Sequence, residues 1–158
     1  MYKFLFALLM GFVILGANEV VLYENPRDSS DWAYKGRQPL QFAVAASPEE
    51  WESQLSRMEP RPPRVREIDW ETEFPILAYM GEYPTGGYAV QIDSVRLTRR
   101  TLVVQVSLRS PAPGDMVTMA FTYPADMITL PRQHLPNIDQ VRFVSRDGEL
   151  YSEMSIIR

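Results

Sequence analysis

The sequence contains no cysteine and a single histidine among its 158 residues. The absence of cysteine excludes disulfides, a thiol nucleophile, thiolate metal sites and a lipid-modified N-terminal cysteine. A Ser-His-Asp triad would have to use His134, which lies in a loop context, and no serine stands in a Gly-x-Ser-x-Gly elbow. A histidine-based metal site would need carboxylates from elsewhere in the chain. We therefore predict a protein that is not an enzyme and has no catalytic residues, no metal and no cofactor.

Basic residues are also in the minority, with 16 Lys and Arg against 20 Asp and Glu, a net charge of -4 and a pI near 5.1. Nucleic-acid-binding proteins normally present a basic face, so we expect no nucleic-acid partner. The 46% hydrophobic content suits one compact domain with a core. The 13 prolines favour short strands and stiff connections over long helices.

The N-terminus has the features of an export leader. Lys3 precedes an uncharged apolar run over residues 4–17, which is shorter than the roughly 20 residues of a membrane-spanning helix. Gly16 and Ala17 permit cleavage before Asn18. We predict a signal peptide over residues 1–17, with an uncleaved membrane anchor as the alternative. The protein would then be periplasmic or secreted, would contact a membrane only through an uncleaved leader, and would form a single domain over residues 18–158.

One helix is predicted by several signals at once. Ser47 is a suitable N-cap, Pro48 stands at the first helical position, and Glu50 can complete a capping box. The apolar residues that follow recur at helical spacing on one face: Trp51, Leu55 and Met58. We therefore expect a helix over residues 47–58 that packs against a sheet.

From Ile68 onward the pattern is that of β-strands. Two segments alternate apolar and polar residues, one with Leu102, Val104, Val106 and Leu108, the other with Val117, Met119, Phe121 and Tyr123. A change of phase at Asp93-Ser94 predicts a β-bulge, and Asp147-Gly148 predicts a two-residue hairpin in the tail. The fold class is therefore α+β, a mostly antiparallel β-sheet curled into a sandwich or a partial barrel, with one packed helix.

A glycine-rich stretch, Gly81–Gly87, separates two apolar runs at Ile76–Met80 and Tyr88–Ile92. Pro84 fixes one φ angle and Gly86-Gly87 allow positive φ, so the pattern predicts a β-hairpin with a loop of specified shape. The loop either only sets strand register or is displayed to a protein partner. In the second case the partner-binding residues are Tyr83, Pro84, Thr85, Gly86, Gly87 and Tyr88.

A competing hypothesis uses aromatic residues as a binding platform. Trp32 and Tyr34 lie in a polar loop and, with Tyr83 and Tyr88, could stack against a small molecule or a glycan. A concave aromatic cleft would favour this hypothesis, whereas a protruding loop would favour a protein partner.

Several motifs together resemble the C-terminal domain of PrcB-like protease-complex subunits. They are Gly81-Glu82-Tyr83-Pro84-Thr85-Gly86-Gly87-Tyr88, Pro111-Ala112-Pro113-Gly114, Thr122-Tyr123-Pro124 ahead of Ile128, the helix start Ser47–Trp51, and Ile68-Asp69-Trp70. The resemblance spans roughly residues 40–132. It implies a small, exported, non-catalytic α+β domain that associates with a cell-envelope or secreted protease. Members are often lipid-anchored, which this chain cannot be because it has no cysteine.

Overall fold

The computed structural model describes residues 18–36 and 39–156, so the leader predicted over residues 1–17 lies outside the described part. The elements in chain order are β1 (Glu19–Glu24), β2 (Gln41–Val44), α1 (Pro48–Ser56), β3 (Glu73–Tyr79), β4 (Ala89–Thr98), β5 (Thr101–Arg109), β6 (Ala125–Pro131), a 3-10 helix (Arg132–Asn137), β7 (Gln140–Val144) and β8 (Leu150–Ser155). The α+β class with a single α-helix among the described residues is thereby confirmed.

The strands form two sheets packed as a sandwich. The larger sheet has the order β1-β4-β5-β7-β8, and the smaller has the order β2-β3-β6. All pairs are antiparallel except β5 with β7, which is parallel. The parallel pair arises because β6 and the 3-10 helix carry the chain across before β7 begins.

The main core lies between the two sheets. β5 contributes the side chains of Leu102, Val104, Val106 and Leu108, all buried, which confirms the face assigned from alternation. The smaller sheet contributes Phe74, Ile76 and Ala78 from β3 to the same cluster. Alternating residues of β3, Leu77 and Tyr79, point the other way into a second cluster. β3 is therefore covered on both faces.

Helix α1 provides the third layer by covering the outer face of the smaller sheet. The Ser47 Oγ accepts a hydrogen bond from Glu50 N at 3.2 Å, and the Glu50 carboxylate accepts one from Ala46 N at 3.0 Å. The capping residues are thus those expected, although the glutamate bonds the residue before the N-cap. Trp51, Leu55 and Met58 are buried in the second cluster, as their spacing predicts.

The predicted bulge occurs where the phase of β4 changes. The register between β4 and β5 shifts between Ile92 and Ser94, which leaves Asp93 as the extra residue. The Asp93 carboxylate accepts hydrogen bonds from Ser29 Oγ at 2.6 Å and from Ser107 Oγ. The bulge therefore fixes the loop after β1 onto the outer face of the larger sheet.

The hairpin predicted between Ile76–Met80 and Tyr88–Ile92 is wrong. β3 pairs with β2 and β6, whereas β4 pairs with β1 and β5, so the glycine-rich stretch crosses from one sheet to the other. Turn residues specify that the chain changes direction, but they do not specify which strands pair afterwards.

Two other local predictions need correction. The alternating segment over residues 117–123 is not a strand, apart from an isolated bridge at Thr122. The hairpin around Asp147-Gly148 does form, since β7 pairs with β8, but its loop spans residues 145–149. A hydrogen bond from Ser145 N to Glu149 O closes that longer loop, with Gly148 at φ 85°.

Candidate functional site

Two connections meet at one end of the sandwich. We call residues 80–88, between β3 and β4, the signature loop, and residues 110–124, between β5 and β6, the arm. The signature loop brings together all six residues predicted to bind a partner, and the arm runs alongside it. The site is therefore composed of two segments, of which the sequence identified one.

Tyr83 is buried, with only 4% of its surface exposed. Its hydroxyl lies 2.7 Å from that of Tyr34, and its ring contacts the Tyr88 ring with 4.1 Å between centroids. Burial, helped by the hydrogen bond with Tyr34, raises the pKa of Tyr83 well above its usual value. Tyr83 is thus part of the core cluster and anchors the loop.

The remaining predicted residues lie nearer the surface. Pro84 is exposed, whereas Thr85, Gly86, Gly87 and Tyr88 are half-buried. Thr85, Gly86 and Gly87 are covered by the arm, whereas Tyr88 packs against Tyr83 and the main core. The loop therefore presents only a narrow rim to solvent.

Backbone hydrogen bonds tie the arm to the signature loop. Tyr83 and Thr122 exchange two, each 2.8 Å long, and Gly86 N donates to Thr118 O at 3.0 Å. The Thr122 hydroxyl donates to Thr85 O at 2.7 Å. The arm is consequently held in place without belonging to either sheet.

The two glycines allow this close approach. A Cβ on Gly86 would lie 2.6 Å from Thr118 Oγ1, and one on Gly87 would lie 2.8 Å from Pro111 Cβ and 2.9 Å from a methyl group of Val117. Gly87 also has φ 88°, which side chains disfavour. The Gly86-Gly87 pair is required by the packing of loop against arm.

The arm exposes three large apolar side chains. Met116 is fully exposed, and 85% of Met119 and 66% of Phe121 are accessible to solvent. No charged residue occurs between Met116 and Ala125. On soluble proteins, large exposed apolar patches mark interaction sites. Sequence alternation did single out Met119 and Phe121, but it assigned them to a buried strand.

The four-residue aromatic platform does not form. Trp32 and Tyr34 line a cleft on the larger sheet, whereas Tyr83 and Tyr88 are not among its lining residues. The Arg109 guanidinium lies 5.3 Å from the centre of the Trp32 ring and occupies one of its faces. The aromatic residues are therefore divided between the cleft and the signature loop.

The described residues contain neither a candidate metal site nor a candidate membrane-spanning helix. In residues 18–36 and 39–156, no group of three or more His, Asp or Glu side chains is arranged to hold a metal ion. Across the same residues, no helix has the length and apolar character needed to cross a membrane.

Comparison with known proteins gave one finding. Neither the curated proteins nor the solved structures contain a significant match to the chain. Among protein families, the model described as "PrcB C-terminal" matches residues 76–131, a stretch that begins in β3 and ends in β6. It therefore contains both the signature loop and the arm. The resemblance seen in the sequence is confirmed, since residues 76–131 of this chain match the model of the PrcB C-terminal family.

Proposed function

We propose that the protein is an exported, non-catalytic accessory protein that binds another protein through the signature loop and the arm. The family name, together with the protease-complex subunits that the sequence resembles, makes a cell-envelope or secreted protease the candidate partner. The observation that carries the proposal is the exposure of Met116, Met119 and Phe121 on a backbone that is already ordered by the loop.

An ordered arm favours binding energetically. A flexible segment would lose conformational freedom on binding, whereas this one is held beforehand by the bonds to Tyr83, Thr85 and Gly86. Methionine and phenylalanine side chains adapt to apolar grooves and supply most of their binding free energy through burial. The partner surface is therefore expected to be an apolar groove that accepts the three side chains.

The test is capture from an envelope extract followed by mass spectrometry. A Met116→Ser, Met119→Ser, Phe121→Ser variant should keep the melting temperature of the wild type, since these side chains make little contact in the free protein. It should lose the captured protease. The control is Val20→Ser, Val21→Ser, because these two valines are also accessible to solvent, each 50% exposed, but lie on β1. Equal capture by the wild type and the triple variant would contradict the proposal.

Thr85→Ala tests the contribution of the loop separately from that of the arm. Thr85 is half-buried, and its hydroxyl donates only to the neighbouring Gly86 O at 3.1 Å. If the loop itself contacts the partner, Thr85→Ala should weaken capture at unchanged stability. Full capture by this variant, combined with loss in the triple variant, would assign binding to the arm and leave the loop as its support.

The proposed export has an independent test. Expressed in a Gram-negative host, the protein should appear in the periplasmic fraction with an N-terminus at or near Asn18. An N-terminus at Met1 in the inner-membrane fraction would replace the cleaved leader by an anchor.

A further inference from the structure

The larger sheet contains a gap beside β5. β4 pairs with β5 from Thr101 to Arg109, whereas β7 pairs with it only as far as the Gln105–Val144 pair. Beyond that pair, β5 borders a cleft of about 770 Å³ whose lining includes Val106, Ser107 and Leu108. This volume falls within the range of ligand-binding sites in proteins.

The strand edge in this gap carries backbone groups that can still form hydrogen bonds. Alternate residues of a strand direct their N–H and C=O groups to the same side. Arg100 O, just before β5, accepts a bond from Gln140 N of β7, and Ser110 N, just after β5, donates to Ala33 O. Leu108 lies an even number of residues from both Arg100 and Ser110, so its N–H and C=O point to the same side of the strand as theirs. Among the described residues, its N–H and C=O have no hydrogen-bond partner.

Aromatic side chains form the walls of the cleft. Trp32 and Tyr34 come from the loop after β1, and Tyr151 comes from β8. The Tyr34 ring is held by its hydroxyl contact with Tyr83, and the Trp32 ring by Arg109. These rings are thus positioned to contact apolar side chains without first becoming ordered.

One end of the cleft is acidic. Asp147 and Glu149 belong to its lining, and neither forms a salt bridge with any described residue. Arg146, which lies beside them, donates instead to Ser29 Oγ at 2.7 Å. The Arg146 guanidinium keeps its positive charge there, so Asp147 and Glu149 leave this end of the cleft with a net negative charge that attracts a cationic group.

We propose that this cleft binds an extended peptide segment that adds to the free edge of β5. Such a segment supplies the main-chain acceptor and donor that Leu108 lacks among the described residues, as in other cases of strand addition. Its apolar side chains contact Trp32 and Tyr151, and a lysine or arginine side chain reaches Asp147 and Glu149. A glycan could stack on the aromatic rings but would not present a main chain in register with the strand.

This inference goes beyond the proposed function, because the cleft does not include any residue of the exposed arm. The two sites are connected through the Tyr34–Tyr83 contact and through Ser110 of the arm, whose N–H donates to Ala33 O and whose hydroxyl accepts from Lys35 N. Failure of either proposal therefore leaves the other standing, and the triple arm variant should bind peptide as the wild type does.

The first test is amide hydrogen exchange measured by NMR on the protein. In the free protein, the Leu108 amide should exchange at least about tenfold faster than those of Ser107 and Arg109, whose N–H groups point to the opposite side of the strand, towards β4. A Leu108 amide that is as protected as its neighbours would show that the edge is closed and would overturn the proposal.

The second test uses a phage-displayed library of random twelve-residue peptides. Selected peptides, made synthetically, should contain a basic residue and should slow Leu108 exchange by at least about tenfold.

Asp147→Asn and Glu149→Gln should each weaken the binding of these peptides roughly two- to fivefold. The control Glu67→Gln removes an exposed carboxylate elsewhere and should change nothing. Binding without any change at Leu108, no enriched peptide, or binding of soluble oligosaccharides alone would each overturn the proposal.

Discussion

β5 and the arm that follows it have the same sequence pattern and opposite environments. Both alternate apolar and polar residues, yet the alternating side chains of β5 are buried between the sheets, while Met119 and Phe121 of the arm face solvent. β5 has β4 on one side and β7 on the other, whereas residues 118–122 of the arm form backbone hydrogen bonds only with the signature loop among the described residues. An alternating pattern therefore identifies a segment with an apolar face, but the surrounding strands decide whether the protein itself covers that face.

The largest expected effect comes from placing a charge on the buried apolar face of β5. The same change on the exposed apolar face of the arm serves as the comparison. Val104→Asp should prevent folding, because an unpaired buried carboxylate costs several kcal/mol of a typical ~5–15 kcal/mol stability. Met119→Asp should leave the melting temperature nearly unchanged, since that side chain is in water, and should abolish partner capture. Circular dichroism melts of both variants test the contrast. Similar destabilisation by both would mean that the arm is part of the core.

Tyr83 contacts both environments, because its ring lies in the buried core and its backbone bonds Thr122 of the arm. Tyr83→Ala should destabilise the protein by about 3–5 kcal/mol, since it removes a buried ring. Tyr83→Phe keeps the ring and loses only the contact with Tyr34, so it should cost about 1 kcal/mol. Chemical denaturation measures both values. A near-wild-type Tyr83→Ala variant would restore the earlier expectation that this side chain is displayed to a partner.

Gly87→Ala tests how closely the loop holds the arm. The added Cβ meets both positive φ and the Pro111 and Val117 side chains, so the expected cost exceeds the ~1 kcal/mol of conformational strain alone. Gly114→Ala is the matched control, because it has the same φ of 88° with no atom within 4 Å of the new Cβ. Equal costs measured by denaturation would remove the close-packing argument.

The smallest effect is expected at Tyr79. This side chain is fully buried beneath α1, and its hydroxyl has no hydrogen-bond partner among the described residues. Tyr79→Phe removes the unsatisfied group and should leave stability unchanged or raise it by up to about 1 kcal/mol. A loss of more than about 1 kcal/mol in the same denaturation assay would indicate that the hydroxyl has a partner, such as a buried water.

Local sequence signals predicted the features that depend on neighbouring residues. The cap at Ser47, the buried face of β5 and the bulge at Asp93 all follow from periodicity or from the chemistry of one side chain. Strand pairing could not be predicted in this way. The hairpin assigned across the signature loop failed because β3 joins β2 and β6, which are distant in sequence.

Of the two segments that form the candidate site, the sequence identified the signature loop and not the arm. The residues from Tyr83 to Tyr88 were selected through their turn chemistry and resemblance, but no sequence signal indicates that Gly86 and Gly87 serve the approach of a second segment. Met119 and Phe121 were predicted as strand residues, because exposure depends on what covers a side chain and not on its spacing. The gap beside Leu108 has no sequence signal either, since it results from β7 ending at Val144.

Photo-crosslinking from the arm tests the central claim most directly. A photoreactive amino acid is placed at Met119 in one variant and at Val20, a half-exposed surface position on β1, in another, and both are irradiated in intact cells. We predict one dominant adduct from position 119, identified by mass spectrometry as a cell-envelope or secreted protease, and none of that adduct from position 20. Absence of an adduct at position 119, or the same adducts from both positions, would contradict the account.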